Sequence, residues 1–346
     1  MKKNNWLFLD KNKIFFPALA LTVIGLFVLN SISPGLFPTY YLYVLVGLIL
    51  YFVISRVDFE LFGLFAKHFY VLGLVGLFIP LIFGRITHGA IRWIQIGNVS
   101  IQPSELVRPF LYLFLAFFLS QASVKRTVIS FLFVGLYVLL ILIQPSLTVA
   151  LLTTVGYLGC LLASKINLKF LVFGFLAVAI AVGGFLLLAK PYQKERLTSF
   201  LNYEQDPLGS GYNSIQAVIS VGSGGFLGKG FGKGTQTQLA FLPEKHNDFI
   251  VASIGEEFGI LGILVVLVLF MVVLYQVLEA YHQSADQAYG AYCLAVFVVL
   301  TVQVTINVLM NLGMFPVAGV NFPLVSYGGS SYIATMVMLG LVSSGQ

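Results

Sequence analysis

The chain has 346 residues, of which 59% are hydrophobic and only 9% carry a charged side chain. This composition excludes a soluble globular domain with one membrane anchor and is typical of a polytopic membrane protein. The formal net charge of +6 does not indicate nucleic-acid binding, because the cations are scattered over loops and form no basic run with interleaved aromatic residues.

Apolar runs interrupted by polar or helix-breaking residues predict ten membrane spans and an all-α polytopic fold in one domain, residues 1–346. The predicted spans are 14–31, 39–55, 69–84, 106–121, 127–143, 146–163, 169–189, 249–277, 288–311 and 325–345. Two boundaries between adjacent spans, at 33–35 and 144–146, are predicted only from helix-breaking residues, because no charged residue marks them. Cys160 and Cys293 lie in apolar segments without metal-ligand spacing, so both are predicted to be small core residues.

The distribution of Lys and Arg predicts the orientation of the chain. The N-terminal tail and the loops after spans 2, 4 and 6 carry ten of these cations, whereas the loops after spans 1, 5 and 9 carry none. Because cytoplasmic loops are enriched in Lys and Arg, both termini are predicted to lie in the cytoplasm. The N-terminal apolar run lacks a small-residue cleavage site, so we expect it to remain as a span.

One large extracytoplasmic loop is predicted between spans 7 and 8, at residues 190–248. Its 59 residues include nine glycines, six Lys or Arg and five Asp or Glu. So much polar, turn-rich sequence exceeds what a connection needs, which indicates a functional region.

A first candidate motif surrounds the start of span 4. Arg92-Trp93-Ile94 precedes Gln102-Pro103-Ser104-Glu105, and Arg108 follows three residues after the glutamate. An interfacial tryptophan and an ordinary helix start would explain much of this pattern. However, Glu105 and Arg108 are predicted to share one helix face at the membrane edge, where paired charges usually serve a site.

The glycine-rich stretch at 209–236 is similar to a phosphate-binding loop but lacks the P-loop spacing and a preceding strand. One interpretation is that the glycines allow a tight or re-entrant turn. The alternative is that Lys229, Lys233 and exposed backbone amides bind an anionic lipid head group.

The segment that enters span 8 concentrates ionisable side chains. Glu244, Lys245, His246 and Asp248 lie within five residues, and Glu256-Glu257 follow two turns into the helix. Asn247 or Asp248 would be an ordinary N-cap for that helix. Carboxylates at this depth need partners or a wet cavity, and therefore favour a site.

The connection between spans 9 and 10, at 321–331, reads Asn-Phe-Pro-Leu-Val-Ser-Tyr-Gly-Gly-Ser-Ser. It is interpreted as a helix break with close packing of small residues, with a site-lining role as the alternative.

Taken together, these motifs resemble the SEDS family (shape, elongation, division and sporulation), whose members include RodA, FtsW and SpoVE. The resemblance covers essentially the whole chain and also includes Asn307 and Asn311. It implies a peptidoglycan glycosyltransferase of the bacterial cytoplasmic membrane that polymerises lipid II on the outer face, extends a lipid-linked glycan strand, and works with a class B penicillin-binding transpeptidase. The short N-terminal tail favours a RodA-like member, although the elongation and division branches share these motifs.

The chain departs from the family pattern in three places. Ser146 stands where the family usually has Asp, Arg108 where Lys is common, and Asn247 where Thr is usual. We expect an Asp at position 146 to be tolerated, because the outer face there is predicted to be wet.

By this resemblance Asp248 is the general base that accepts the proton of the GlcNAc 4-hydroxyl, and one carboxylate suffices for an inverting transfer. The residues expected to frame the active site are Trp93, Glu105, Arg108, Glu244 and His246. Candidate ligands for the pyrophosphate are chosen by their positive charge and by their predicted position on the outer side of the membrane. They are Arg92, Arg196, Lys229, Lys233 and Lys245. No cofactor is evident from the sequence, and a requirement for a divalent cation is left open.

Two other functions compete with this interpretation. A flippase for lipid-linked precursor predicts ionisable residues deep within several spans or inverted repeats with broken helices, and neither is evident. A non-catalytic scaffold for a transpeptidase would not need the acidic cluster around Asp248.

Overall fold

The computed structural model describes residues 13–87, 90–97, 99–121, 123–164 and 211–346. Helices dominate these ranges. They are α1 (Phe15–Ile32), α2 (Phe37–Ile54), α3 (Phe59–Phe83), α4 (Pro103–Leu106), α5 (Arg108–Ser120), α6 (Val124–Ile143), α7 (Leu147–Ala163), α8 (Tyr212–Gly224), α9 (Thr235–Gln238), α10 (Ile250–Gln283), α11 (Gln287–Asn311) and α12 (Gly329–Ser344).

The prediction of a multi-pass, all-α membrane protein is confirmed. Seven helical segments in the described ranges are long and apolar enough to cross a membrane, and the shorter apolar helices α7 and α12 also match predicted spans. Helices end and restart at both breaker positions, near 33–36 and 144–146. The predicted seventh span, 169–189, and the loop residues 190–210 with Arg196 lie outside the described residues, so the count of ten spans stays a prediction.

Two of the predicted span boundaries were wrong. Helix α3 begins at Phe59, ten residues before the predicted span, because the exposed Lys67 and His68 do not interrupt it. A long lysine side chain can keep its ammonium in water from within a helix. Helix α10 continues to Gln283, past the predicted end at 277. The loop predicted at 190–248 also contains α8 and α9.

A small antiparallel sheet, which the sequence analysis did not predict, fills the connection between α3 and α4. Strand β2 (Ala90–Ile96) lies between β1 (Arg85–Thr87) and β3 (Val99–Ile101), in the order β1-β2-β3. Trp93 is opposite Arg85, and Ile94 is opposite Ile101. The sheet places the Arg92-Trp93 motif on its central strand and leads directly into α4.

The core of the bundle depends on close helix contacts. Helix α7 packs mainly on α11, and α12 packs mainly on α2. A Cβ at Gly159 would lie only 2.6 Å from Ala295 Cα, so this glycine lets the backbones of α7 and α11 approach. Cys160 and Cys293 are both fully buried free thiols, which confirms their predicted core role.

Helix α10 is interrupted at Gly259, whose φ of 68° and ψ of −167° are not helical. The glycine-rich segment after α8 packs its backbone against this break, since Ile260 N donates to Gly225 O at 3.0 Å and Leu261 N to Phe226 O at 3.2 Å. A Cβ at Gly224 would lie 1.9 Å from the Gly255 carbonyl oxygen. The glycines therefore serve backbone-to-backbone contact, which favours the tight-turn interpretation of this stretch.

The α8–α10 contact can be tested with two glycines of one helix. Gly224→Ala should destabilise the protein by roughly 1–3 kcal/mol, because the new methyl group meets the backbone of α10. Gly222→Ala is the matched control, because a Cβ there meets no atom within 4 Å and the change should be neutral or stabilising by about 0.5–1 kcal/mol. Thermal unfolding in detergent measures both. Equal melting temperatures for the two variants would contradict the close contact.

Candidate active site

The segment before α10 is a turn, not a helix start. Glu244 has a φ of 49°, and its carbonyl oxygen accepts hydrogen bonds from Asn247 N at 3.0 Å and Phe249 N at 3.3 Å. The Asn247 Nδ2 group also donates to Glu244 Oε2 at 2.7 Å. Phe249 occupies the N-cap position of α10, so the interpretation of Asn247 or Asp248 as the N-cap was wrong. The half-buried Asp248 belongs to this turn, residues 244–249, which we name the catalytic turn because Asp248 is the predicted general base.

Two asparagines of α11 bind the backbone of the catalytic turn. The carbonyl oxygen of Asp248 accepts from Asn307 Nδ2 at 3.0 Å and from Asn311 Nδ2 at 2.9 Å. Asn311 Oδ1 in turn accepts the first-turn amide of Ala252 at 2.8 Å. Both asparagines are fully buried. The main chain of Asp248 is therefore fixed to α11.

The connection before α12 binds the two carbonyls that precede Asp248. Tyr327 N donates to His246 O at 2.8 Å, and Ser326 Oγ donates to Asn247 O at 2.7 Å. Ser326 Oγ also accepts from Phe322 N at 2.9 Å. Segment 321–331 thus does more than break a helix, because it positions the catalytic turn.

Glu105 and Arg108 form the predicted ion pair, with Arg108 NH2 2.8 Å from Glu105 Oε2 and both side chains buried. Arg108 NH2 also contacts Gln303 Oε1 at 3.4 Å. Gln303 Nε2 then donates to Asn321 O at 3.1 Å. Gln102 N donates to Ser330 Oγ at 2.8 Å. The first and last motifs therefore meet at the same end of the bundle as the catalytic turn.

The two acids inside α10 are buried structural groups. Glu256 accepts an ion-paired hydrogen bond from Lys229 Nζ at 2.8 Å. Glu257 Oε1 accepts from Ser31 Oγ of α1 at 2.7 Å and from Gln238 Nε2 at 3.0 Å. Both glutamates have no exposed surface. Lys229 therefore already neutralises an acid of its own chain.

Lys245 and His246 lie in a low-dielectric environment beside Asp248. Lys245 Nζ donates to the Thr237 carbonyl oxygen. Burial lowers the pKa of Lys245, while Glu257 and Glu256 oppose this shift. Burial also lowers the pKa of His246, which Glu244 opposes and Lys245 reinforces. The His246 ring packs edge-on against Tyr327, with centroids 5.7 Å apart.

The remaining sequence-predicted residues differ in exposure. Arg92 and Trp93 are partly buried on β2, and Lys233 is exposed beside the glycine-rich segment. Arg196 lies outside the described residues. Within the described ranges there is no group of three or more His, Cys, Asp or Glu that could hold a metal ion.

The expectation of a wet surface at position 146 was wrong. Ser146 is 1% exposed, and its hydroxyl has no hydrogen-bond partner among the described residues. The neighbouring Gln144 is also fully buried and donates from Nε2 to Leu77 O at 2.7 Å. Packing between the ends of α6 and α3 covers this corner, so a carboxylate at 146 would need a partner inside the protein.

Comparison with known proteins identifies the family. The model of the FtsW, RodA and SpoVE family, described as "Cell cycle protein", matches residues 13–345. The chain belongs to this family. MrdB of Escherichia coli (strain K12), a peptidoglycan glycosyltransferase, is 35% identical over 304 residues, which cover 86% of this chain and 82% of that protein. FtsW of Nitrosococcus halophilus (strain Nc4), a probable peptidoglycan glycosyltransferase, is 37% identical over 326 residues, which cover 88% and 82%.

Solved structures of FtsW/RodA-type chains share the fold. One is described as "Structural coordination of polymerization and crosslinking by a peptidoglycan synthase complex", and its matching chain gives a TM-score of 0.82 at 28% identity, covering 99% of this chain and 97% of that one. The rod shape determining protein RodA of Thermus thermophilus gives 0.73 at 26% identity, covering 96% and 95%.

Sequence reasoning assigned no individual role to the residues that hold the catalytic turn of this FtsW/RodA-type chain. Gln303, Asn307 and Asn311 are amides within α11, a helix without an Asp, Glu, Lys or Arg, and all three are buried. Their spacing of four residues puts them on one helix face. Buried amides on one face need partners, which is the signal that could have identified them.

The Ser326 contact predicts a measurable loss of stability. Ser326→Ala leaves Asn247 O and Phe322 N without this hydroxyl, and each lost partner should cost about 1–3 kcal/mol. Ser344→Ala is the control, because that hydroxyl only bonds Leu341 O in its own helix end. Thermal unfolding should separate the variants, and hydrogen exchange should rise in residues 244–249 for Ser326→Ala alone. Unchanged exchange there would count against the positioning role of segment 321–331.

Proposed function

We propose that this chain is a peptidoglycan glycosyltransferase that polymerises lipid II, with Asp248 as the general base. The names of two relatives support the activity, because one is called a peptidoglycan glycosyltransferase and the other a probable peptidoglycan glycosyltransferase. The assignment of the general base rests on the burial and hydrogen bonds of the acids around the catalytic turn. These properties favour Asp248.

The acids near this end of the bundle differ in accessibility. Glu256 and Glu257 are fully buried and accept hydrogen bonds from neighbouring segments. Glu105 is buried in its ion pair with Arg108. Glu244 is exposed at the start of the turn, whereas Asp248 is half-buried and its backbone carbonyl is fixed by two asparagines. A general base has to reach its substrate from a fixed position, and this combination favours Asp248.

The reaction joins a sugar hydroxyl to an anomeric carbon whose leaving group is a lipid diphosphate. A single carboxylate can remove the hydroxyl proton in an inverting transfer, since no covalent glycosyl enzyme forms. Cations must neutralise the departing diphosphate. Arg92, Arg196, Lys233 and Lys245 stay candidates by their charge. Lys229 is a weaker candidate because Glu256 already pairs with it.

The other parts of the proposal concern location and partners. The site acts on the outer face of the cytoplasmic membrane, with both termini inside. Trp93, the Glu105–Arg108 pair, Glu244 and His246 frame the site. The product is a growing lipid-linked glycan strand, and a class B penicillin-binding transpeptidase crosslinks it. A solved structure with the same fold comes from a peptidoglycan synthase complex, which supports such a partnership.

Asp248→Asn tests the base directly. The variant should fold normally and lose polymerisation by at least roughly 100-fold, because the amide cannot accept the hydroxyl proton. Asp58→Asn is the matched control, since that exposed aspartate precedes α3 without capping it and should not affect activity. Purified protein is incubated with labelled lipid II, and polymer is separated from monomer. Substantial polymer from Asp248→Asn would refute the assignment, and a lack of polymer from the wild type would refute the function.

A further inference from the structure

We propose that Glu256 is a positioning residue for this reaction, which orients the Lys245 ammonium beside Asp248 through Thr237 and itself neither binds substrate nor transfers a proton. The inference rests on the proposed function and adds a residue that acts through another. Glu256 lies two turns inside α10 and has no exposed surface, so substrate cannot reach its carboxylate.

The carboxylate of Glu256 organises the end of the glycine-rich stretch and the residue that follows it, Thr237. Its Oε1 atom accepts from Lys229 Nζ at 2.8 Å, Gln236 N at 2.9 Å and Thr235 Oγ1 at 3.2 Å. Its Oε2 atom accepts from both N and Oγ1 of Thr237, each at 2.9 Å. Five donors fill the acceptor capacity of one buried carboxylate, and such a group fixes the backbone that surrounds it.

Thr237 connects this anion to the catalytic turn. Its amide and hydroxyl bind Glu256, while its carbonyl oxygen accepts the hydrogen bond from Lys245 Nζ. The other end of Lys245 is also fixed, because its own carbonyl oxygen accepts from Ser253 Oγ at 3.0 Å. The direction of the lysine side chain therefore depends on where Glu256 holds Thr237.

Lys245 and Asp248 are three residues apart in one turn whose carbonyls at 246, 247 and 248 are all bound by neighbouring segments. An ammonium has three donors, and Thr237 uses one of them. Two remain for oxygens of an anionic leaving group. With the general base and this cation on one fixed turn, the same backbone segment would position the group that accepts the hydroxyl proton and the group that neutralises the diphosphate leaving group.

The charges around Lys245 make the inference testable by pH. Glu256 and Glu257 face it from α10, Glu244 and His246 flank it on its own turn, and Lys229 shares the Glu256 carboxylate. The two α10 acids raise the pKa of Lys245 against the effect of burial. Removing the charge of Glu256 should therefore lower that pKa further, so that the ammonium is lost at a lower pH.

The experiment compares pH–rate profiles of full-length protein with labelled lipid II. Glu256→Gln should lower the turnover number roughly 10- to 100-fold, as expected for a misplaced group, and should move the alkaline decline to lower pH. Glu256→Asp keeps the charge, so it should lower the turnover number without moving that decline. Glu279→Gln is the matched control near the other end of α10, where the acid only contacts Gln283, and should change neither quantity.

Each outcome is decisive because wild type and Asp248→Asn are measured alongside. Active wild type with an inactive Asp248→Asn upholds the proposed function, whatever Glu256→Gln does. An unchanged alkaline decline in a folded Glu256→Gln overturns the positioning inference alone. If Glu256→Gln fails to fold, Thr237→Val replaces it, since that variant loses the hydroxyl bonds to Glu256 and to Gly234 O but keeps the amide bond to Glu256. Partial loss of turnover then supports the inference, and wild-type turnover overturns it.

Discussion

The catalytic turn depends on the binding of three consecutive, partly buried backbone carbonyls. His246, Asn247 and Asp248 would each have an unsatisfied oxygen if α11 and segment 321–331 did not supply donors. Each such oxygen would cost about 1–3 kcal/mol. Because the donors come from two different elements, the position of the turn requires both to be packed correctly. The backbone at Asp248 is therefore held in position by the packed helices of the bundle.

Burial divides the acids of this region into two kinds. Glu105, Glu256 and Glu257 are removed from water, and each has a cation or several hydrogen-bond donors beside it. These contacts make the three glutamates part of the packed interior and not of an accessible surface. Asp248 keeps access to the surface, which is where proton transfer to or from a substrate can occur. The sequence puts all four acids in similar motifs, so their different roles come from packing.

Much of the fold could be predicted from hydrophobicity alone. The breaks near 33–36 and 144–146 were correct because proline and polar residues interrupt otherwise apolar helices there. The β1-β2-β3 sheet was missed, since its strands have only three or seven residues and the longest shows no strict alternation of apolar and polar side chains. Spacing also predicted the Glu105–Arg108 pair, since residues three apart share a helix face. The contacts from Asn307 and Asn311 to Asp248 join residues about 60 positions apart, and no local pattern encodes such a pairing.

The break at Gly259 divides α10 into two helical parts. The second part starts at Ile260. The amides of Ile260 and Leu261 donate to the carbonyl oxygens of Gly225 and Phe226 and not to the preceding turn of α10. The glycine-rich segment thus acts as the cap of a helix that belongs to a distant part of the chain. Shortening this segment would leave the amides of Ile260 and Leu261 without their acceptors at the start of a helical part. The length of the segment is therefore constrained by the helix that it caps.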